Sequence, residues 1–197
     1  MPSLIFAATG SAVTDWYWWA NMRVIGGEFR SRLLKSVPGL DTRPTPDRMR
    51  ETLFNILALR IEGASFADLY AGTGAVGIEA LSRGARSVLF VEANRAAVGV
   101  IRQNLKSLGA ESRADVRQGK ATLLADKLEA EIVFLDPPYS LDREYDTVLR
   151  LLAERSPRLV IVQHDMRRKL EASYGTLMHT RLVKQGDNCL SFFEAVG

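Results

Sequence analysis

The sequence predicts an α/β fold built on a Rossmann-like parallel sheet. Apolar strand patterns alternate with helical patterns from residue 65 onward, a glycine-rich turn follows the first strand, and two strand patterns around a polar turn close the chain. Alternation is typical of parallel strands, because each parallel pair needs a crossover connection. The closing hairpin predicts an antiparallel edge, which a plain dehydrogenase sheet lacks.

The individual elements follow from the spacing of apolar residues. Strands are predicted near residues 65–70, 87–91, 114–117, 131–135 and 158–163, and helices near 75–84, 94–108, 120–128 and 143–155. The helix at 94–108 has the clearest boundaries, with Asn94 as its N-terminal cap and Gly109 as its stop. Residues 177–184 and 189–195 flank a polar turn and predict the terminal hairpin.

Composition divides the chain into three parts. Residues 1–21 contain no lysine or arginine and hold all three tryptophans, so we expect a disordered or non-native extension before a natural start at Met22. An aromatic anchor that docks on this or another subunit is the alternative. Residues 22–62 predict a small basic appendage, and residues 63–197 predict the main domain.

The appendage is predicted to contain a hairpin and a helix. Alternating residues around Gly26-Gly27 predict a short β-hairpin with Ile25, Phe29 and Leu33 among its apolar positions. Thr45 is the expected cap of the helix. The apolar residues of that helix recur at helical spacing, at Met49, Leu53, Ile56 and Leu57.

Charge is concentrated in the appendage. Between Arg23 and Arg60 there are eight basic and four acidic side chains, although the formal net charge of the whole chain is only +3. A basic front on a nearly neutral domain favours a polyanionic partner such as nucleic acid, and a plainly solvated surface is the alternative.

Cysteine and histidine are scarce. One cysteine, Cys189, excludes an internal disulfide and fits a reducing compartment such as the cytoplasm. The two histidines, His164 and His179, form no cluster with cysteine at metal-binding spacing, so no metal is expected. The N-terminal extension lacks a basic start and is too short and broken to span a bilayer, so neither export nor a membrane partner is expected.

A glycine-rich turn opens the first helix of the main domain. Gly72, Gly74 and Gly77 have the spacing of the dinucleotide fingerprint, and Glu92 stands where an acid can bind ribose hydroxyls. The turn alone fits NAD or S-adenosylmethionine. Asp68 favours S-adenosylmethionine, because a carboxylate there repels a pyrophosphate and attracts an ammonium group; capping the turn is its alternative role.

The adenine of the cofactor is expected beyond the third strand. Lys120 stands there and has no acceptor, so recognition of the adenine would fall to backbone groups or to Gln118; a plain surface role for Lys120 is equally consistent. The further residues predicted to bind the cofactor are Tyr70, Ala93, Gly119, Lys120, Ala121 and Asp136.

The run Asp136-Pro137-Pro138-Tyr139 follows the fourth strand and predicts amine chemistry. Parallel strands bring their carboxyl ends to one edge, so this run and the glycine turn should face one crevice. An amine on an aromatic base is a poor nucleophile, and acceptors for its hydrogens can aim its lone pair at a methyl donor. Asp136 and the Pro137 carbonyl are the predicted acceptors, Pro138 stiffens the loop, and Tyr139 stacks on the base. An ordinary Pro-Pro turn is the alternative.

Together these motifs resemble the RsmD family of bacterial methyltransferases. The resemblance begins at Met22 and also includes the stretch from Arg43-Pro44-Thr45 to Phe54-Asn55. It implies a class I S-adenosylmethionine-dependent methyltransferase sheet and methyl transfer to the exocyclic N2 of a guanine in 16S ribosomal RNA. It also implies a cytoplasmic monomer that acts on free RNA or on an assembled or assembling small subunit.

The resemblance also bears on RNA contacts and has three departures. The appendage residues expected to contact RNA are Arg30, Arg32, Arg43, Thr45, Arg48 and Arg50. Residues 1–21 have no counterpart in the usual pattern. Lys120 stands where the family usually has an acid, and Gln163 stands where a glutamate is common.

Other functions fit parts of the sequence. An amino-methyltransferase acting on DNA or on another RNA would use the same chemistry at Asp136, although a DNA enzyme normally needs a larger recognition domain. A NAD-dependent oxidoreductase would use the glycine turn and leave the Asp-Pro-Pro-Tyr run unexplained. A catalytically silent RNA-binding domain is kept open by Lys120 and Gln163.

Overall fold

The computed structural model describes residues 22–37, 47–138 and 140–196. Four of the predicted features lie outside the described residues: the extension at 1–21, Arg43, Thr45 and Tyr139. The strands are β1 (Ser65–Asp68), β2 (Ser87–Glu92), β3 (Ala114–Gln118), β4 (Ile132–Leu135), β5 (Leu159–Asp165), β6 (Ser173–Tyr174), β7 (Leu177–Gln185) and β8 (Asn188–Ala195). The helices are α1 (Asp47–Leu57), α2 (Ala75–Ser82), α3 (Arg95–Leu108) and α4 (Asp142–Ala153).

The strands form one eight-stranded sheet in the order β3-β2-β1-β4-β5-β8-β7-β6. Strands β1 to β5 pair in parallel, and β8 pairs antiparallel with both β5 and β7. The α/β fold and its terminal hairpin are therefore confirmed. Two details were not predicted: the short edge strand β6, and a register shift in β7 between His179 and Arg181.

The predicted helix at 120–128 is wrong. This segment instead forms two 3-10 turns, Ala121–Leu123 and Ala125–Lys127. Its buried alanines present little apolar area, and a short helix depends on such packing for its stability. No helix in the described parts of the chain is both long and apolar enough to cross a membrane.

The sheet has an apolar core on each face. The N-terminal segment, α1, α2 and α3 cover one face, where Phe66, Phe90 and Phe134 are buried. Helix α4 and the 3-10 turns cover the other face, over Val133 and Val160. Neighbouring residues of β1, β4 and β5 enter opposite cores, as the alternation of side chains along a strand requires.

Residues 22–37 pack across α2 and α3 as an irregular loop. The predicted hairpin is reduced to one antiparallel bridge between Arg23 and Leu33. Leu33, predicted as an apolar position of the hairpin, is 65% exposed, and Leu34 is buried in its place. Ser31 has a left-handed backbone with φ of 67°, and this residue breaks the alternation on which the prediction depended.

Buried polar groups of α2 hold this segment in place. The Glu79 carboxylate is fully buried and accepts the N–H groups of Ile25 at 2.8 Å and Gly26 at 2.9 Å. Ser82 accepts the N–H of Phe29 at 2.8 Å. A Cβ at Gly27 would lie 1.8 Å from the carbonyl oxygen of Ser82, so this close approach requires glycine.

Candidate active site

The glycine turn and the Asp-Pro-Pro run lie on neighbouring strands. Strands β1 and β4 pair directly, and the N–H of Leu69 donates to the carbonyl of Phe134 at 3.1 Å. In the strand order, the chain passes from β3-β2-β1 to β4-β5 at this point, which is the topological switch point. Ligands of open parallel sheets bind in the crevice at such a point.

Glu92 organises the first side of the crevice. Its Oε2 accepts the N–H of Gly72 at 2.8 Å, and its Oε1 accepts the N–H of Asn94 at 2.7 Å. Gly72 has φ of 54°, and beyond its chain neighbours no atom of the described residues lies within 4 Å of the position that a Cβ would take. The turn therefore presents backbone and a partly exposed carboxylate to open space, as a ribose-binding edge requires.

Gly77 has a packing role rather than the predicted contact with the cofactor. A Cβ at Gly77 would lie 2.3 Å from Phe90, so its absence lets α2 pack closely against β2. Its N–H donates to Oδ2 of Asp68 at 3.0 Å. Asp68 is only 1% exposed, so the capping alternative describes it better than the predicted contact with an ammonium group.

The buried Asp68 still contributes charge to the crevice. Burial raises the pKa of its carboxyl to about 7, against the opposing hydrogen bond from Gly77, and the charges of Asp136 and Glu92 raise it further. Three acidic groups thus lie near one another at the ends of β1, β2 and β4. This arrangement favours a cationic ligand over a pyrophosphate.

The predicted adenine edge contains few side-chain acceptors. Lys120 and Ala93 are exposed, whereas Ala121 is buried in the core that α4 covers. The N–H of Gly119 is already bonded to the Glu92 carbonyl at 3.0 Å. Backbone groups near Lys120 and the exposed Gln118 remain the groups available to an adenine here.

Asp136 is the acceptor on the second side of the crevice. It is partly exposed, and its Oδ2 accepts a hydrogen bond from Nε2 of Gln163 at 3.1 Å. The carbonyl of Pro137, predicted as a second acceptor, is buried and accepts the hydroxyl of Tyr145 at 3.0 Å. Its predicted role is corrected accordingly: the bond from Tyr145 fixes the loop. Pro138 is exposed, and its carbonyl accepts the N–H of Leu141 at 2.8 Å.

Helix α4 ties the two loops together, which the sequence did not predict. Glu144 accepts the hydroxyl of Tyr70 at 2.6 Å, and the adjacent Tyr145 donates to the Pro137 carbonyl. Tyr70, predicted to bind the cofactor, thus directs its hydroxyl to α4. The guanidinium of Arg168 lies 4.0 Å from the centre of the Tyr145 ring and pairs with Asp142 and Asp146 of α4. One helix turn therefore sets the relative position of both loops.

The predicted RNA-binding arginines have different environments. Arg48 is exposed in the first turn of α1. Arg50 of α1 bonds the carbonyl of Arg23, and the adjacent Met22 accepts the hydroxyl of Thr73 in the glycine turn, so α1 begins near the crevice. Arg50 is fully buried, and its Nη2 donates to the Arg23 carbonyl at 2.9 Å and to Asp47 at 2.6 Å. Its predicted contact with RNA is therefore wrong in this structure.

Arg30 and Arg32 are exposed at the opposite end of the sheet. The guanidinium of Arg32 donates to the carbonyl of Ser107 at 2.8 Å, in the last turn of α3. Glu28, in the same turn of the N-terminal segment, pairs with Arg113 just before β3. Since α3 begins at the crevice and ends away from it, these two arginines lie away from the crevice, and their contact with RNA stays a prediction.

Comparison with known proteins assigns the family. The family model described as "Conserved hypothetical protein 95" matches residues 22–194. The Escherichia coli protein named "Ribosomal RNA small subunit methyltransferase D" is 43% identical over 120 residues, which cover 60% of this chain and 61% of that protein. The chain belongs to the RsmD family. Bacillus subtilis YlbH is 34% identical over 185 residues, 89% of this chain and 100% of that protein.

Solved structures agree with an RsmD-type fold. The Escherichia coli yhhF structure has a TM-score of 0.76 and 34% identity, and covers 88% of this chain and 97% of that chain. An RNA methyltransferase from Salinibacter ruber, in complex with S-adenosyl-L-homocysteine, has a TM-score of 0.60 and 21% identity over 77% of this chain and 93% of that chain. At that identity the second likeness concerns the fold alone.

Proposed function

We propose that this RsmD-family protein transfers a methyl group from S-adenosylmethionine to the exocyclic N2 of a guanine in 16S ribosomal RNA. The observation that carries this function is the pairing of β1 with β4, which brings the glycine turn beside Asp136. The name of the Escherichia coli relative, ribosomal RNA small subunit methyltransferase D, supports the choice of substrate. We place the reaction in the cytoplasm and infer that a monomer performs it on free or particle-bound RNA.

The chemistry of the crevice fits S-adenosylmethionine. When bound, this cofactor supplies a methyl group on a positively charged sulfur. Glu92 would hold its ribose, and the open space beside Gly72 would admit it. The three acidic groups, Asp68, Glu92 and Asp136, would attract its positive charge, whereas they would repel the pyrophosphate of NAD.

Asp136 would orient the amine of the substrate for methyl transfer. Its carboxylate accepts an N–H of the guanine amine and thereby directs the nitrogen lone pair toward the methyl group. After transfer, Asp136 or water accepts the proton that the amine releases. The target base must leave its stack to reach this acceptor, because a paired base cannot enter the crevice. We further propose that Tyr139 stacks on the displaced base.

The raised pKa of Asp68 predicts a pH-dependent affinity for the cofactor. A nearby cation favours the ionised carboxylate, so raising the pH through about 7 should strengthen binding of S-adenosylmethionine. We expect its Kd, measured by calorimetry, to fall by roughly fivefold between pH 6 and 8. Asp68→Asn should remove that part of the pH dependence, while the amino group of the ligand titrates equally in both proteins. An identical pH dependence in the variant would contradict the role of Asp68.

The surface position of Arg48 predicts an RNA contact. Arg48→Glu should weaken binding of 16S RNA roughly tenfold and reduce the slope of log affinity against log salt by about one. Arg30→Glu is the matched control, because it changes the charge equally at the far end of the sheet. We expect less than about a threefold effect from it in filter-binding titrations. Equal losses in both variants would place the RNA away from the crevice.

Two measurements test the proposed function. Calorimetry with S-adenosylmethionine and with NADH should give binding of the first only; tight binding of NADH alone would favour an oxidoreductase. Transfer of labelled methyl groups to 16S RNA, or to small subunits from a strain that lacks this gene, should occur with the wild-type protein. Binding of such RNA without transfer would favour the silent RNA-binding domain.

A further inference from the structure

Gln163 lies behind the acceptor carboxylate. It occupies β5 opposite Leu190 of β8, is 4% exposed, and donates from Nε2 to Oδ2 of Asp136 at 3.1 Å. Its other amide atom, Oε1, is buried and has no hydrogen-bond partner within the described ranges. Among the described residues, the amide therefore forms a hydrogen bond through its N–H group and none through its oxygen.

A half-satisfied buried amide is costly to keep. An unpaired buried acceptor loses its hydrogen bonds to water and gains none in exchange. Methionine would fill the same space without that loss, because it has a similar length and no strong polar atom. The cost of burying the amide is offset when its N–H group holds the carboxylate of Asp136 in place.

We propose that Gln163 is the positioning residue for Asp136. Its Nε2 holds Oδ2 and so fixes the orientation of the carboxylate that accepts the substrate amine. The amide has no proton to lose near neutral pH, so it donates this bond throughout the working range. This role rests on the proposed function, since it requires that Asp136 accept the amine.

The other charged groups near this pair do not replace the amide. Asp68 acts on Asp136 from β1 as a like charge, and Glu92 acts on Asp68 from β2 in the same sense. The ring of His164 is turned toward Ser191 at 2.8 Å and the Asp165 carbonyl at 2.9 Å. Tyr145 of α4 donates to the Pro137 carbonyl. Gln163 thus reaches the carboxylate from β5 as a neutral donor.

A glutamate at position 163 would make the bond depend on pH. A protonated glutamic acid donates to Asp136 as the amide does. Once ionised it cannot donate, and two carboxylates at hydrogen-bond distance repel each other. Gln163→Glu should therefore lose activity as the pH rises, whereas the wild-type protein should not.

The test compares methyl transfer to 16S RNA by the wild type, Gln163→Glu and Gln163→Met at saturating cofactor. Gln163→Glu should match the wild type within about threefold at pH 6 and fall at least about tenfold below it at pH 9. Gln163→Met should be slower by about 10-fold to 100-fold at every pH, with an unchanged Kd for S-adenosylhomocysteine and an equal or higher thermal midpoint.

Two outcomes would overturn this role. One is a pH profile of Gln163→Glu parallel to that of the wild type. The other is full turnover by Gln163→Met, which preserves the packing and so gives a result even if the charged variant fails to fold. If the wild-type protein transfers no methyl group, the proposed function is rejected. The wild type is measured first, so this result is distinguished from failure of the role of Gln163.

Discussion

Asp136→Asn should lower the rate of methyl transfer by about a thousandfold. Gln163 donates to Oδ2, so the new amide would turn its oxygen toward Gln163 and its NH2 toward the substrate amine. A donor would then face a donor, and the lone pair of the amine would lose its orientation. We expect the Kd for S-adenosylhomocysteine, which lacks the sulfonium charge, to change by less than about threefold in calorimetry.

Asp126→Asn is the control for this substitution. Asp126 lies exposed in the second 3-10 turn, and its change to asparagine removes one charge of the same sign. Turnover should stay within about twofold of the wild type. A parallel loss of turnover and of cofactor binding in Asp136→Asn would place Asp136 in the cofactor site, and full turnover would remove it from the reaction.

Gly77→Ala should destabilise the protein by about 3 kcal/mol, which lowers the thermal midpoint by roughly 10 °C. The new Cβ would lie 2.3 Å from the ring of Phe90, and that ring is fully buried in the core between α2 and β2. Either the ring or the helix must move. A shift of α2 would also strain the hydrogen bond from Gly77 to Asp68.

Gly99→Ala is the matched control, because Gly99 lies within α3 and, outside its own helix turn, no atom of the described segments lies within 4 Å of its missing Cβ. This change should stabilise the protein by about 0.5–1 kcal/mol, since alanine favours a helix. Differential scanning calorimetry of both variants measures the contrast. Equal stability of Gly77→Ala and the wild type would contradict the close packing of α2 on β2.

The sequence was sufficient to predict the strands of the sheet, because a strand is recognised from the pattern of neighbouring residues. The periodicity of apolar residues located β1 to β5 and the terminal hairpin, and the spacing of Gly72 and Glu92 indicated the loop and carboxylate that meet on one side of the crevice. Which glycine faces a ligand is set by tertiary packing, so the spacing alone could not separate Gly77 from Gly72. The hydrogen bond from Tyr145 to the Pro137 carbonyl was not predicted for the same reason, because it depends on how α4 packs against the loop that precedes it.

For Arg50, the sequence contained a signal of burial that the prediction did not use. Arg50 is spaced three, four and seven residues before Leu53, Phe54 and Leu57, so it shares the apolar face of α1. Its burial could have been predicted from that spacing. The distance of Arg32 from the crevice could not, because it depends on how buried polar groups of α2 hold the N-terminal segment.

The most direct test is the identity of the modified nucleoside. Small subunits from a strain that lacks the gene would be incubated with the wild-type protein and S-adenosylmethionine, and the 16S RNA would be digested and analysed by mass spectrometry against nucleoside standards. We expect one new N2-methylguanosine, absent with Asp136→Asn. A methyl group on adenine or cytosine, or no methylation by a folded protein that binds the cofactor, would contradict the proposed function.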